Sequence, residues 1–323
     1  MKSRKSKHTS IEVLELALDS FNPAKRKEAL QALCEKAARG EIELPSSPRE
    51  IDGTALSHGV NLHCHTFFSY NTYGYSPSKF AWLARKAGLA VAGVVDFDVL
   101  DALEEFFDAG RMLDLKVCAG LETRVYVPEF ADRVTNSPGE PGISYHMGVG
   151  FPRAQVPDEQ KTFLAGLRET AQQRNRSLTD RVNKHLHPVE LDYERDVLAL
   201  TPSGNATERH ICLAYARKAK EILGETDALA DFWSQKLGAD AKSLGLPEGG
   251  NLLNTIRAKT MKRGGVGYVQ PDKGSFPWMA DTNRFIIAAG GIPVHTWLDG
   301  TSDGEKAIEE LLVFSMSTGA AAL

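Results

Sequence analysis

The chain has 323 residues, 42% of them hydrophobic and 25% charged, a composition that suits a globular protein with room for one large domain or two smaller ones. A formal net charge of -4 excludes the global basic field that advertises a duplex nucleic-acid binder. Cys34, Cys64, Cys118 and Cys212 are far apart and form no Cys-x-x-Cys, which argues against a disulfide framework or a zinc ribbon and suits a reducing compartment, with the cytoplasm as the expected location. The basic start is followed by Glu12, Glu15 and Asp19, where a signal peptide needs an unbroken apolar core. No uninterrupted apolar run reaches the roughly eighteen residues of a membrane span, so none is expected.

Apolar residues recur at helical spacing over residues 10–38, with Asn22-Pro23 breaking the run into two helices. A loop rich in Pro and Ser follows, so residues 1–52 read as a helical extension and linker, and residues 53–323 as the main domain. That domain opens with Asn61-Leu62-His63-Cys64-His65-Thr66. On a short strand His63 and His65 share one face and can grip one metal ion, while Cys64 points to the other face and packs in the core. Ser76-Pro77 is an N-cap and first helical position for a helix through about residue 86, closed by Gly88. Residues 89–95 form a near-continuous apolar run, the pattern of a strand buried on both faces, and lead into Asp96-Phe97-Asp98. A helix over 100–113, a strand over 116–127 carrying Glu122, and a strand over 143–151 carrying His146 come next.

Residues 152–262 change character to charged helical patterns and read as a helical insertion. Beyond it, a helix over 282–288, a strand over 292–297 with His295, a helix over 304–317 and the start of one more strand at 319–323 resume the alternation. Alternation of this kind predicts parallel strands with crossover helices, hence an α/β barrel or a doubly wound sheet. In such barrels the functional groups gather at the C-terminal strand ends. Here those ends read His63/His65, Asp96, Glu122, His146 and His295, each a side-chain type that ligates a divalent metal. His185-Leu186-His187 is a second His-x-His, but in a helical context positions i and i+2 do not share a face, so it reads as surface or connector. Gly264-Gly265-Val266-Gly267 lacks the Lys-Ser/Thr of a phosphate loop and reads as a turn.

Taken together, Asn61 to Ser69, Val94 to Asp101, Gly120-Leu121-Glu122, Tyr145-His146-Met147-Gly148, Ala206-Thr207-Glu208-Arg209-His210-Ile211 and Gly290 to His295 resemble successive motifs of the polymerase and histidinol phosphatase (PHP) family, over about residue 58 to the end. The resemblance implies a distorted, TIM-like (β/α)7 barrel that binds divalent zinc, manganese or iron, two ions being expected here, for phosphoester hydrolysis. His63, His65 and Glu122 would hold one metal, and Glu122 would bridge to a second held by His146 and His295, because two neighbouring cations need a shared anion between them. The chain departs from the family at Asn71 and Phe97, where a third metal finds its ligands, so the third site is expected to be lost and Asn71 is left a substrate-side role. The family's closing Asp-x-His motif has no counterpart before Leu323, so the chain is a fragment or its barrel closes differently, and Asp96 becomes the nearest replacement carboxylate.

The implied chemistry is attack on phosphorus by a metal-activated water, with Glu122 at the centre, Arg209 clamping a phosphate and His210 donating a proton or hydrogen bond. The expected partner is a small phosphorylated molecule, a nucleotide or a short nucleic acid. Two other readings stand beside it. One is a degenerate PHP-like module that binds metal or a phosphorylated ligand without efficient turnover. The other is an amidohydrolase-type barrel, which shares the opening His-x-His but would call for a strand-end lysine that the chain does not supply.

Overall fold

A computed structural model describes residues 9–45, 59–69 and 74–323. Its first helices start where the sequence signals place them. Ser10 opens α1 (Ile11–Ala17) by accepting a hydrogen bond from the Val13 amide, and Asn22 opens α2 (Pro23–Ala38), its side-chain oxygen 3.0 Å from the Ala24 nitrogen and Pro23 at the first helical position. After β1 (Val60–Asn61) the chain runs on beside the next strand, the Val95 N–H donating to the Cys64 carbonyl at 2.9 Å. A Cβ at Gly93 would lie 2.7 Å from the Leu62 oxygen, so glycine lets the histidine-bearing segment rest directly on the sheet. Then come α3 (Pro77–Lys86), β2 (Val91–Phe97), α4 (Leu103–Leu113), β3 (Lys116–Tyr126) and β4 (Ile143–Val149). Helices α5 (Asp158–Leu186), α6 (Glu208–Leu223), α7 (Asp227–Leu237), α8 (Ala241–Leu244) and α9 (Gly250–Ile256) make up the helical segment expected over 152–262. The chain closes with α10 (Met279–Ala288), β5 (Ile292–His295), α11 (Asp303–Lys306) and α12 (Ile308–Ser317), the last two separated at Ala307 where one continuous helix was expected.

The strands lie in the order β1-β2-β3-β4-β5 and form a curled half-barrel, with five strands among the described residues where the family resemblance implies seven. Strands β1, β2 and β3 are parallel, whereas β4 runs antiparallel to both β3 and β5. The all-parallel expectation fails at β4 for a local reason. Residues 127–142 contain Pro128, Pro138 and Pro141 and form only a 3-10 turn at Pro128–Phe130, so no crossover helix carries the chain back. The segment after α12 lies alongside β5, the Ala321 N–H donating to the Pro293 carbonyl at 2.9 Å and the His295 N–H to the Ala322 carbonyl at 3.0 Å.

Each face of the sheet meets a different helical layer. Helices α1 to α4 and α10 share one core with Ala92, Val94, Ala119 and Leu121, in which Leu18, Leu33, Trp82, Leu103 and Phe106 are buried. The Arg26 guanidinium of α2 reinforces this layer through Glu105 of α4, at 2.9 and 3.0 Å from Nε, and Glu105 also accepts from the Ser78 amide and hydroxyl. Helices α5 to α9 form a second core around Val182, Ile211, Tyr215, Trp233 and Ile256. No described helix is long and apolar enough to cross a membrane.

Candidate metal centre and its pocket

Side chains on neighbouring strands share a face when their residues are register partners, and alternate along each strand. Phe97, Glu122 and Met147 are partners across β2, β3 and β4, so they share one face. Thr123, His146 and His295 are partners across β3, β4 and β5, so they share the other. This parity decides which candidate ligands meet.

On the Glu122 face, His63 Nε2 lies 2.9 Å and His65 Nε2 3.4 Å from the same Glu122 Oε2, and the three donor atoms lie within 4.8 Å of one another. Among the described residues this is the one group of three or more His, Cys, Asp and Glu close enough to hold a metal ion. Two imidazole nitrogens and a carboxylate oxygen suit zinc, manganese or iron and leave coordination positions open. The imidazoles differ in setting. The hydrogen bond that His63 donates to Glu122 outweighs burial at this half-exposed ring and raises its pKa, whereas burial lowers that of His65 despite the Glu122 charge. Phe97 stacks on His65, ring centroids 4.3 Å apart and planes 13° off parallel, so it fixes the imidazole plane and contributes no ligand.

His146 and His295 do not join this group. Both are fully buried on the opposite face, 6.3 Å apart between ring centroids, and His146 Nε2 is 2.6 Å from the Asn283 side-chain oxygen of α10. Burial, the larger cause at each, holds both pKa values down to about 4, so both rings are neutral. The expected bridge from Glu122 to a second metal on these histidines is therefore not made, because β3 presents Glu122 and Thr123 to opposite sides. Asp96 is also engaged elsewhere. Its oxygens accept from the Thr66 amide at 2.7 Å and from the Thr66 and Ser69 hydroxyls at 2.6 Å, which ties the histidine-bearing segment to β2 rather than offering a ligand. Burial nevertheless pushes the Asp96 pKa up to about 6.

His210 sits at the third position of α6, its Nδ1 accepting from the Thr207 amide at 3.0 Å in a reciprocal cap with the Thr207 side chain. It is fully buried, with its pKa lowered to about 4 by burial, and does not line the pocket described next, so the geometry gives it a capping role instead of proton donation. Arg209 does line that pocket and bonds the Asn254 side chain. Asn71 falls outside the described residues. Of the second His-x-His, His185 contacts the Lys236 carbonyl and His187 contacts Glu190, as expected of a connector.

The pocket, about 340 Å³, lies between the Glu122 face of the sheet and the helical segment, with His65 and Phe97 in its wall. Asn205 fastens the helical segment across this gap by donating to the Phe97 carbonyl at 2.9 Å and the Phe68 carbonyl at 3.2 Å. Arg124, Arg174, Arg209, Arg257 and Lys262 line the pocket, against the carboxylates of Asp98 and Glu208. Asp98 has a positive φ of 61°, a strained backbone for a non-glycine residue, and accepts from the Thr123 hydroxyl at 2.6 Å. Sequence reasoning singled out Arg209 of this cationic lining and missed Arg124, Arg174, Arg257 and Lys262, because they come from β3, α5 and the turn after α9 and meet only in the fold.

No protein-family model matches the chain, and no curated protein matches it either. Solved structures do. An amidohydrolase from Chromobacterium violaceum, determined with bound sulfate and no metal, superposes with a TM-score of 0.56 at 18% identity, over 82% of this chain and 75% of that one. A protein from Bifidobacterium adolescentis described as a metal-dependent phosphoesterase superposes with a TM-score of 0.50 at 16% identity, over 83% of this chain and 87% of that one. At these identities the likeness establishes a shared fold.

Proposed function

We propose that the chain is a metal-dependent phosphoesterase that holds a divalent cation on His63, His65 and Glu122 and takes a phosphorylated substrate into the adjoining cationic pocket. The observation that carries this reading is the adjacency itself: a two-histidine, one-carboxylate group shares a wall with a cavity lined by five cationic side chains and two carboxylates. The fold is shared with an amidohydrolase and with a protein described as a phosphoesterase, and the excess positive charge favours the phosphoester over an uncharged amide. A phosphomonoester, or a phosphodiester of a nucleotide or short oligonucleotide, fits that charge. Since His146 and His295 face the other way, the described residues favour one ion per chain over two.

When bound, the cation supplies Lewis acidity and lowers the pKa of a water at neutral pH. The chain's own residues do the rest. Glu122 and the two imidazoles fix the centre in the wall, Phe97 holds the His65 ring, and the guanidinium and ammonium groups oppose the charge that builds on the phosphoryl oxygens. The sheet and the helical segment together screen the substrate from bulk water.

The test is metal content by elemental analysis together with hydrolysis of p-nitrophenyl phosphate in added manganese, for wild type and Glu122→Gln. We expect about one metal per chain, lost in the variant with at least a hundredfold of the activity. Metal bound without turnover of any phosphate ester would move the chain to the binding-module reading, and a wild type that neither binds metal nor turns over a phosphate ester would overturn the phosphoesterase and leave a module for a phosphorylated ligand.

A further inference from the structure

The cations around the pocket do not share counter-charges evenly. Arg124 Nη1 is 2.8 Å from Glu140 Oε2, and Arg257 Nε and Lys262 Nζ each lie 2.8 Å from Glu208 Oε2. Arg209 bonds Asn254. Arg174, projecting from α5 into the same cavity, is different: no carboxylate among the described residues reaches ion-pair distance of its guanidinium. Its principal contact is the Phe276 ring, whose centroid lies 5.0 Å from the guanidinium carbon. The Arg124 guanidinium carbon lies 4.2 Å from the same centroid.

Two guanidiniums on one aromatic ring repel each other, and the ring's quadrupole compensates only part of that cost. Burial first, and then Arg124, lower the Arg174 pKa to about 10 against the weaker, opposing charges of Asp98 and Glu208, neither of which reaches ion-pair distance, and the group stays charged at neutral pH. A folded protein that holds an unpaired cation beside a second one in a partly closed cavity is built for an anion that arrives from outside. The planar forks of two arginines match the oxygens of a phosphoryl group better than they match a chloride.

We propose that Arg174 and Arg124, sharing the Phe276 ring, form an oxyanion subsite that binds a phosphoryl group of the substrate through protein contacts alone, independently of the metal. The identity of the anion rests on the phosphoesterase reading. The site itself rests on the unpaired guanidinium. Arg174 then acts in substrate binding, and its loss raises KM more than it lowers kcat.

Calorimetric titration of inorganic phosphate into metal-stripped protein tests this, with wild type, Arg174→Met, Arg174→Lys and the exposed-surface control Arg111→Met. Phosphate is expected to bind the stripped wild type and the control alike, about tenfold or more weakly to Arg174→Met, and with intermediate strength to Arg174→Lys, which keeps the charge but loses the fork. Unfolding midpoints and metal content of the reloaded variants report folding separately, and Arg174→Lys carries the comparison if the methionine variant folds poorly. Phosphate binding by Arg174→Met as tight as wild type overturns the proposal. So does a stripped wild type that binds no phosphate, in which case turnover by the metal-loaded protein would leave the phosphoesterase reading standing. Loss of phosphate binding in Arg174→Met from a wild type that hydrolyses no phosphate ester would keep the subsite and remove the activity.

Discussion

His63 and His65 meet one carboxylate oxygen under different conditions, and the difference has a sign. His63 is half exposed and its pKa is raised by its hydrogen bond to Glu122, so in the metal-free protein it keeps its second proton to higher pH than an ordinary imidazole does. His65 is largely buried and its pKa is lowered, so it is already neutral. A cation must displace the proton from His63 and nothing from His65. Metal affinity is therefore expected to fall as pH drops through the raised His63 value, and to fall less steeply in His63→Gln, which binds more weakly throughout. Manganese titrations between about pH 6 and 8 check this, and a pH-independent wild-type affinity would remove His63 from the ligand set. The sequence pairs His63 with His65 by strand alternation, whereas in the structure β1 ends at Asn61 and both imidazoles reach Glu122 from the segment that follows it. Which of Glu122 or Thr123 faces them is not legible in the sequence, because parity relative to a neighbouring strand depends on register. The partners of Asp96 were hidden for a related reason: the Thr66 and Ser69 hydroxyls that donate to it become its neighbours only once the chain has folded.

At the scale of elements, the start of α6 is held by charge as well as by its cap. Burial pushes the Glu208 pKa up, but Lys262 and Arg257 outweigh it and hold the value down to about 2. The partners share the interaction unequally: burial leaves Lys262 net lowered, while Arg257 is net raised. The desolvation of the lysine thus offsets part of what Glu208 alone would suggest, and the net worth of the cluster is smaller than the glutamate shift implies. The sign is that of a depressed carboxylate. The contribution is complete above the unfolded value of about 4.3 and is lost as pH falls toward about 2. Glu208→Gln is accordingly expected to lower stability at neutral pH and to flatten its dependence between about pH 4.5 and 2, measured by urea unfolding; an unchanged acid profile would show that the cluster contributes nothing. The starts of α2 and α3 were readable, since Asn22-Pro23 and Ser76-Pro77 carry local cap chemistry, whereas the Thr207 cap of α6 emerged from the structure. The direction of β4 was half visible in the prolines of 127–142, although strand-helix alternation elsewhere pointed to parallel pairing.

For the whole molecule, the half-barrel is a floor between two unlike layers. One is the shared core of α1 to α4 and α10, and the sequence showed its amphipathic faces without showing that α1 and α2 pack into the core of the main domain. Arg26→Met tests that union. It breaks the largely buried pair with Glu105 while keeping most of the side-chain volume, and is expected to cost about 2–3 kcal/mol in urea unfolding, with metal content unchanged. A neutral result would mean that α2 is held by apolar contacts alone. The other layer, α5 to α9, roofs the pocket and brings Arg174, Arg209, Arg257 and Lys262 over Arg124 of the sheet.

That roof has a thermodynamic consequence. Like charges around the cavity repel most strongly when the fold gathers them, so the native state carries an electrostatic load that the unfolded chain sheds. An oxyanion recognises only the gathered arrangement, and mass action then stabilises the native state by about 2.7 kcal/mol at a hundred times the dissociation constant. The melting temperature in phosphate should therefore exceed that in chloride at matched ionic strength and pH, and equal melting in the two salts would count against a relieved load. The choice of buffer anion becomes a determinant of shelf life for this protein, through the same guanidiniums that line its pocket.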